Sequence, residues 1–398
     1  MLAKNIMREK QPGKIVVFIL LFAVSGTEGQ YLNIGLFNDR NIQTLVVTPL
    51  QGEYQLVADG QQKQKCGAGS SFYVTMHHDS LKVISRKKLI GVFQTIHLIP
   101  LADTSVFAVK PVYPSLPKRI YDDGLYLKVQ WKRIRIINHV EIDHYIAGVV
   151  QSEGGSHAHD EYYKTQAVLC RTYVIRNIAK HTDEGFNLCD GVHCQAYYNR
   201  GDKNPAIMEA AKATKNIIAV DSAGEPILAV FHSNCGGMTE NSENVWPEVK
   251  SYLRSVNDPY CQKQKNSQWE KSIPLDKWKE YLKNNGFSLS YAYDPAYFNF
   301  TQYERKVYYR LGNDSLPLRK IRADWGLKST FFSIRAEDGK LIFSGRGYGH
   351  GVGLCQEGAM QMARLGYRYE DILGFYYKNI RLVDFHAVNG YGTMFPAP

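Results

Sequence analysis

The chain has 398 residues, 44% of them hydrophobic and 22% charged, with a formal net charge of +10. That length and apolar content are enough to bury a large core, as two lobes or as one domain with sizeable insertions, and they exclude an intrinsically disordered chain. The basic residues are dispersed and no DNA- or RNA-binding motif is present, which argues against nucleic acid as the partner.

The first 26 residues carry Lys4, Arg8, Lys10 and Lys14, then ten apolar residues from Ile15 to Val24, then the small residues Ser25 and Gly26. This is the layout of an export signal. Ten apolar residues are too few to cross a bilayer as a helix, so the expectation is a cleaved signal and no permanent membrane span. Its removal leaves 44 basic against 37 acidic groups, a net charge of about +7. A basic exported protein is drawn to the polyanions of the cell envelope, wall polymers and phospholipid head groups. Seven cysteines, an odd number, follow export to an oxidising compartment; at least one must be free, metal-bound or paired with another chain.

From Tyr31 to residue 124 the chain reads as short strands with turn punctuation: Leu32–Leu36, Thr44–Thr48, Tyr54–Ala58 and Leu81–Ile84, with Asp59-Gly60 as a turn signal. A second region, residues 125–386, opens on a hairpin-like pair, Leu125–Gln130 and Ile134–Asn138. Asp143 can then cap a helix whose apolar members Ile146, Val149 and Val150 recur at helical spacing and end at Glu153. Gly154 and Gly155 stop that helix. Another begins near Asp160, with Ala167, Cys170, Val174 and Ile178 on one stripe and Arg171 in its middle. Helix-like stretches at Ala206–Lys215 and Pro274–Asn285 alternate with strands such as Ile217–Val220 and Ile227–Phe231. Two short helices follow, near Gly358–Arg364 and Glu370–Tyr377, and residues 387–398 form a tail. Segregated strands and helices with no internal repeat make the fold α+β.

Glu153 is the best-placed candidate for acid–base work, because a carboxyl at the margin of an apolar helix face is partly desolvated and stays protonated to higher pH. Arg171 could orient that carboxyl or bind a sugar or phosphate oxygen, or it could serve a salt bridge. His181, Cys189, His193 and Cys194 supply two imidazoles and two thiols, the ligand set of a tetrahedral zinc site; a disulfide between Cys189 and Cys194 competes with that reading. Cys235 and Cys261 could be bridged across Thr239–Trp246. Cys355 lies near His350 without an orienting carboxylate and reads as a structural thiol. Gly345-Arg-Gly-Tyr-Gly-His-Gly-Val-Gly353 places a glycine at every second position, which fails the dinucleotide fingerprint but allows unusual φ values around Tyr348 and His350. No nucleotide or organic cofactor is implied.

Five segments, in this order, resemble the stage II sporulation protein D (SpoIID/LytB) family: Tyr145–Glu153, Gln166–Tyr173, Asp190–Tyr197, Phe231–Asn241 with Val245-Trp246, and Gly345–Gly353 with Gln356 and Gly358-Ala359. The resemblance implies a cell-envelope protein acting on peptidoglycan glycan strands as a lytic transglycosylase, cutting between N-acetylmuramic acid and N-acetylglucosamine to leave a 1,6-anhydro end. It implies Glu153 as catalytic acid with Arg171 near the cleft, and His181, Cys189, His193 and Cys194 as a structural zinc site; Ser233, Tyr348 and His350 are expected to contact the substrate. A single acid suffices if the sugar's own C6 hydroxyl attacks. Related proteins are amidase enhancers, so a wall-binding partner of a cell-wall amidase is the alternative. A hydrolase with Glu240 or Glu243 as second carboxylate is a third reading.

Overall fold

A computed structural model describes residues 30–85, 88–289, 294–388 and 390. The expected export segment and most of the expected tail lie outside the described residues. The architecture is α+β, as the segregated pattern predicts.

Residues 31–141, joined by Leu188–Cys189, fold into two sheets. One has seven strands in the spatial order Leu188–Cys189, Tyr31–Leu36, Arg133–Glu141, Gly124–Gln130, Thr95–Pro100, Glu53–Ala58 and Gln61–Gly67. The other has six, in the order Arg119–Asp122, Val106–Tyr113, Thr44–Gln51, Phe72–His77, Ser80–Ser85 and Lys88–Phe93. Alternate residues of both sheets point inward. Val47, Phe72, Val74 and Val83 from one meet Leu56, Ile96, Leu98, Leu125 and Leu127 from the other, and all are buried. Each such side chain stabilises the fold by roughly 1.5–3 kcal/mol relative to exposure. Besides the strands read from the sequence, those at Gln61–Gly67, Phe72–His77, Lys88–Phe93, Thr95–Pro100, Val106–Tyr113 and Arg119–Asp122 complete the two layers.

Helix α1 (Ile142–Gly154) leaves the end of the Arg133–Glu141 strand directly, and α2 (Asp160–Asn177) folds back against it. Helix α3 (Pro205–Ala213) packs on both. The apolar side chains of α1, Ile142, Tyr145, Ile146, Val149 and Val150, are at most 1% exposed and join one continuous core with the sheets. The cap of α1 differs from the sequence expectation. Glu141 is the N-cap, its Oε2 accepting from the N–H groups of Asp143 and His144 at 2.7 and 3.2 Å. Asp143 sits inside the first turn and is engaged elsewhere.

A second, separate core lies within residues 273–343, built around Trp278 against Tyr309 and Phe343 and faced by the strands Gln268–Pro274, Lys340–Arg346 and Phe332–Glu337. One expected strand is shorter than its apolar run. Only Phe231–His232 is regular, pairing in parallel with Leu354–Cys355. The Val230 N–H turns back on the Leu228 carbonyl, and the run bends before it can pair over its length. No helix among the described residues is long and apolar enough to cross a membrane.

Candidate functional site

The last turn of α1 carries three polar side chains in a row, and each fastens the irregular segment 195–203. That segment has no ladder of its own, so its N–H groups need acceptors. Gln151 Oε1 accepts from Lys203 N at 2.7 Å, Ser152 Oγ from Tyr198 N at 3.3 Å, and Glu153 Oε1 from Ala196 N at 2.8 Å. The close seat requires Gly148, where a Cβ would come within 2.4 Å of the Tyr197 ring and 2.6 Å of the Asn199 carbonyl oxygen. Gly155, at φ +74°, ends the helix with its N–H on the Gln151 carbonyl.

Glu153 is therefore half-buried, with one carboxyl oxygen fixed and Oε2 without a hydrogen-bond partner among the described residues. Burial pushes its pKa up, and the Ala196 N–H pulls it part of the way back. From the far end of the chain, Gln356 Nε2 donates to the Glu153 backbone carbonyl at 3.1 Å. Residue 356 follows Cys355, whose strand partner is His232, and the His232 ring lies 5.3 Å from that of His350. The acid-bearing helix and the glycine ladder thus meet through a short chain of contacts.

In the ladder, Gly347, Gly349, Gly351 and Gly353 all take positive φ, between +71° and +120°. This accounts for a glycine at every second position. At Gly347 a Cβ would lie 2.6 Å from the Asn234 carbonyl oxygen, and Tyr348 exchanges backbone hydrogen bonds with Asn234 at 2.8 and 3.1 Å. Gly347→Ala is expected to destabilise the fold by about 1–3 kcal/mol, read as a lower midpoint in urea unfolding. Tyr348 stands 47% exposed, with Lys328 Nζ 5.9 Å from its ring centroid. Ser233 is partly exposed, with its Oγ accepting from Asn266 at 3.1 Å. His350 is differently placed from the expectation. Its Nε2 meets the Phe231 carbonyl at 3.0 Å, its Nδ1 meets the Val352 N–H at 3.1 Å, and burial pushes its pKa down to about 4. The ring packs against His232 and Trp246, so it builds the wall and has no nitrogen left to offer a sugar.

Arg171 also needs correction as a cleft residue. It is fully buried; Nη2 pairs with Asp143 Oδ1 at 2.8 Å, and the guanidinium donates to the Ala211 and Thr214 carbonyls at 2.9 and 2.7 Å. The causes that shift Glu153 are burial and a backbone N–H, with no guanidinium among them.

His181, Cys189, His193 and Cys194 converge: their ligand atoms all lie within 4.8 Å of one another. Cys194 Sγ is 3.4 Å from His181 Nε2 and Cys189 Sγ is 3.7 Å from His193 Nδ1. His181 Nδ1 contacts Glu184 Oε1 at 2.6 Å, which fixes the ring with Nε2 directed at the cluster. Cys189 is anchored on the edge of the seven-stranded sheet opposite Gly35. The cluster leads straight into Gln195 and Ala196, whose N–H holds the acid.

Comparison with known proteins bears on this arrangement. The family model described as Stage II sporulation protein (SpoIID) matches residues 130–220, which contain α1, α2 and the His/Cys cluster. An uncharacterised protein of Brachyspira hyodysenteriae is 30% identical over 264 residues, covering 64% of this chain and 70% of that one. Stage II sporulation protein D of Bacillus subtilis is 27% identical over 268 residues, covering 63% and 77% respectively. The chain belongs to the SpoIID family. An amidase enhancer of Bacillus subtilis is 28% identical over 294 residues, 60% of this chain but only 40% of that longer protein.

Two further carboxylates of this SpoIID chain, Glu240 and Glu243, were candidates for a second acid. Glu240 Oε1 accepts from Asn241 N and Asn244 Nδ2 at 3.0 and 2.7 Å. Glu243 pairs with Arg254 at 2.6 Å, and that guanidinium holds its pKa down at about 2. Sequence reasoning missed the contribution of segment 195–203. Tyr198 is 39% exposed, and its N–H is bonded to the residue before Glu153. Its signal lay only in tyrosine abundance. Asn266, which holds Ser233 and the Glu357 carboxylate (Nδ2 to Oε1, 2.6 Å), carried no motif at all.

Proposed function

We propose that this protein is a peptidoglycan lytic transglycosylase of the cell envelope in which Glu153 is both acid and base. Membership of the SpoIID family and the likeness to an amidase enhancer support a cell-wall-related role. The observation that carries the finer reading is a half-buried carboxyl with a raised pKa, one oxygen clamped by Ala196 N–H and the other unpartnered.

The chemistry needs one proton to move twice. Glu153 protonates the glycosidic oxygen as its bond to the muramic C1 breaks. The muramic C6 hydroxyl then attacks C1, and its proton returns to the Glu153 carboxylate. No water is consumed, and the carboxyl ends as it began. The exposed ring of Tyr348 on the ladder supplies a face for a sugar ring.

Zinc belongs, in this reading, to His181, Cys189, His193 and Cys194. Two imidazole nitrogens and two thiolates at these separations fit one tetrahedral ion at about 2.0–2.3 Å from each ligand. When bound, the ion supplies a rigid cross-link; the chain's own part is to hold Ala196 N–H on Glu153. Changing Cys189 and Cys194 together to Ser is expected to remove one equivalent of zinc, measured by mass spectrometry of the metal content, and to lower the melting temperature.

The decisive test is incubation of the purified protein with peptide-free glycan strands. Products ending in 1,6-anhydro-muramic acid, absent with Glu153→Gln, support the transglycosylase. Reducing-end products point to a hydrolase, and strand binding without any product points to the enhancer role named for the Bacillus subtilis relative.

A further inference from the structure

A second set of side chains with metal-ligand chemistry lies outside the His/Cys cluster. Cys235, Asp258, Cys261 and Cys355 come from three segments far apart in sequence, yet their ligand atoms all lie within 4.8 Å of one another and all four residues are buried. We infer that these residues form a second metal site, holding a single thiophilic tetrahedral ion, Zn²⁺, through three thiolates and one carboxylate.

The separations favour one ion. Ligands about 2.3 Å from a tetrahedral centre stand about 3.8 Å apart along each edge. Cys235 and Cys261 place their sulfurs 3.4 Å apart, and Cys235 Sγ is 3.1 Å from Asp258 Oδ2. A sulfur-rich set with one hard oxygen suits zinc, whereas calcium and magnesium take all-oxygen shells.

The surroundings are those of ligands held for a charge. The Cys235 N–H points at Cys355 Sγ and the Gly237 N–H at Cys261 Sγ, each at 3.2 Å. Such bonds reward thiolate over thiol. Asp258 is fixed from both sides, Oδ2 accepting from the Tyr376 hydroxyl at 2.9 Å and Oδ1 from Tyr260 N at 2.9 Å. Gly358 gives that carboxylate room, since a Cβ there would come within 2.4 Å of Oδ2. Three thiolates and a carboxylate around Zn²⁺ leave an excess of negative charge. Arg305 lies nearby, donating to the Cys235 carbonyl at 2.6 Å and the Met238 carbonyl at 2.7 Å, and its charge is shared between this cluster and Glu240.

The ion would staple three chain segments beside a groove. Gly237, Pro259, Tyr260 and Gln262, which flank its ligands, line a surface groove of about 550 Å³ with Phe331 and Arg346. Cys355 precedes Gln356, the residue bonded to the Glu153 backbone. The second site therefore braces the segment that carries Gln356, as the His/Cys cluster braces the segment that carries Ala196. Loading it displaces three thiol protons per ion.

The test is metal stoichiometry in the full chain, purified without added zinc. Two equivalents per chain are expected, one remaining after Cys189 and Cys194 are changed to Ser, and one lost in Cys355→Ser. Asp258→Cys, which keeps a four-ligand set, retains both. Cys235, Cys261 and Cys355 should resist alkylation until a chelator strips the metal. One equivalent in the wild type that vanishes with the Cys189/Cys194 variant would overturn the second site. So would a peptide map in which Cys235 and Cys261 are joined and lighter by two hydrogens.

Discussion

Glu153→Gln is expected to lower turnover on glycan strands by about 10²–10⁴-fold while leaving strand affinity within a few fold of the wild type. The amide keeps an oxygen for the Ala196 N–H and nearly the same volume, so the clamp at 2.8 Å survives. What it loses is a transferable proton. Binding contacts shared by ground and transition states would appear in KM, whereas a proton transferred in the transition state appears in kcat. A kcat in Glu153→Gln within threefold of wild type would remove Glu153 from the chemistry.

The same carboxyl fixes two pH dependences of known sign. Burial raises its pKa, so the acid form persists above the ordinary carboxylate range, and kcat/KM should fall as pH climbs through the raised value. For stability, the folded state holds its proton more tightly than the unfolded one. The cost of burying the charge is absent below the unfolded pKa, grows between the unfolded and folded values, and is full above both. Glu153→Gln should therefore melt higher than the wild type at neutral pH and alike at low pH, visible in paired thermal scans. A stabilised, inactive variant is the signature of a group kept for function.

How much of this was legible beforehand depends on how local each signal is. The place of Glu153 at the end of α1 was readable because helical spacing in Tyr145–Val150 and the Gly154-Gly155 stop are local patterns. The convergence of His181, Cys189, His193 and Cys194 was readable because three of them fall within six residues. The second cluster was legible only in part: Cys235 and Cys261 could be paired from the sequence, but Cys355 reaches them through the parallel pairing of Phe231–His232 with Leu354–Cys355. No period in the sequence announces a two-residue parallel bridge across more than a hundred residues. His350 was misjudged for a related reason: alternating glycines announce a tight backbone, but not which way the side chain between them turns. Here it turns toward Phe231 and Trp246.

Arg171→Ala should cost about 3–5 kcal/mol of folding stability, the usual penalty for breaking a buried pair from one side. The residue is 0% exposed and its loss strands the Asp143 carboxylate inside the helix pair. It also uncaps α3. Ala211 and Thr214, whose carbonyls Arg171 serves, are at the C-terminal end of that helix, where carbonyl groups lack partners and a cation is favoured. Urea unfolding of Arg171→Met, Asp143→Leu and the double variant gives the coupling directly. The double variant should be clearly less destabilised than the two singles added, because it leaves no unpaired charge, yet still weaker than wild type because the α3 carbonyls stay bare. A cleft role makes the opposite forecast. If Arg171→Lys melted like the wild type but lost glycan cleavage by 100-fold or more, the guanidinium would be acting on substrate. On the geometry here, activity in that variant should follow the folded fraction alone, since helix geometry and the Ala196 clamp on Glu153 are what the pair preserves.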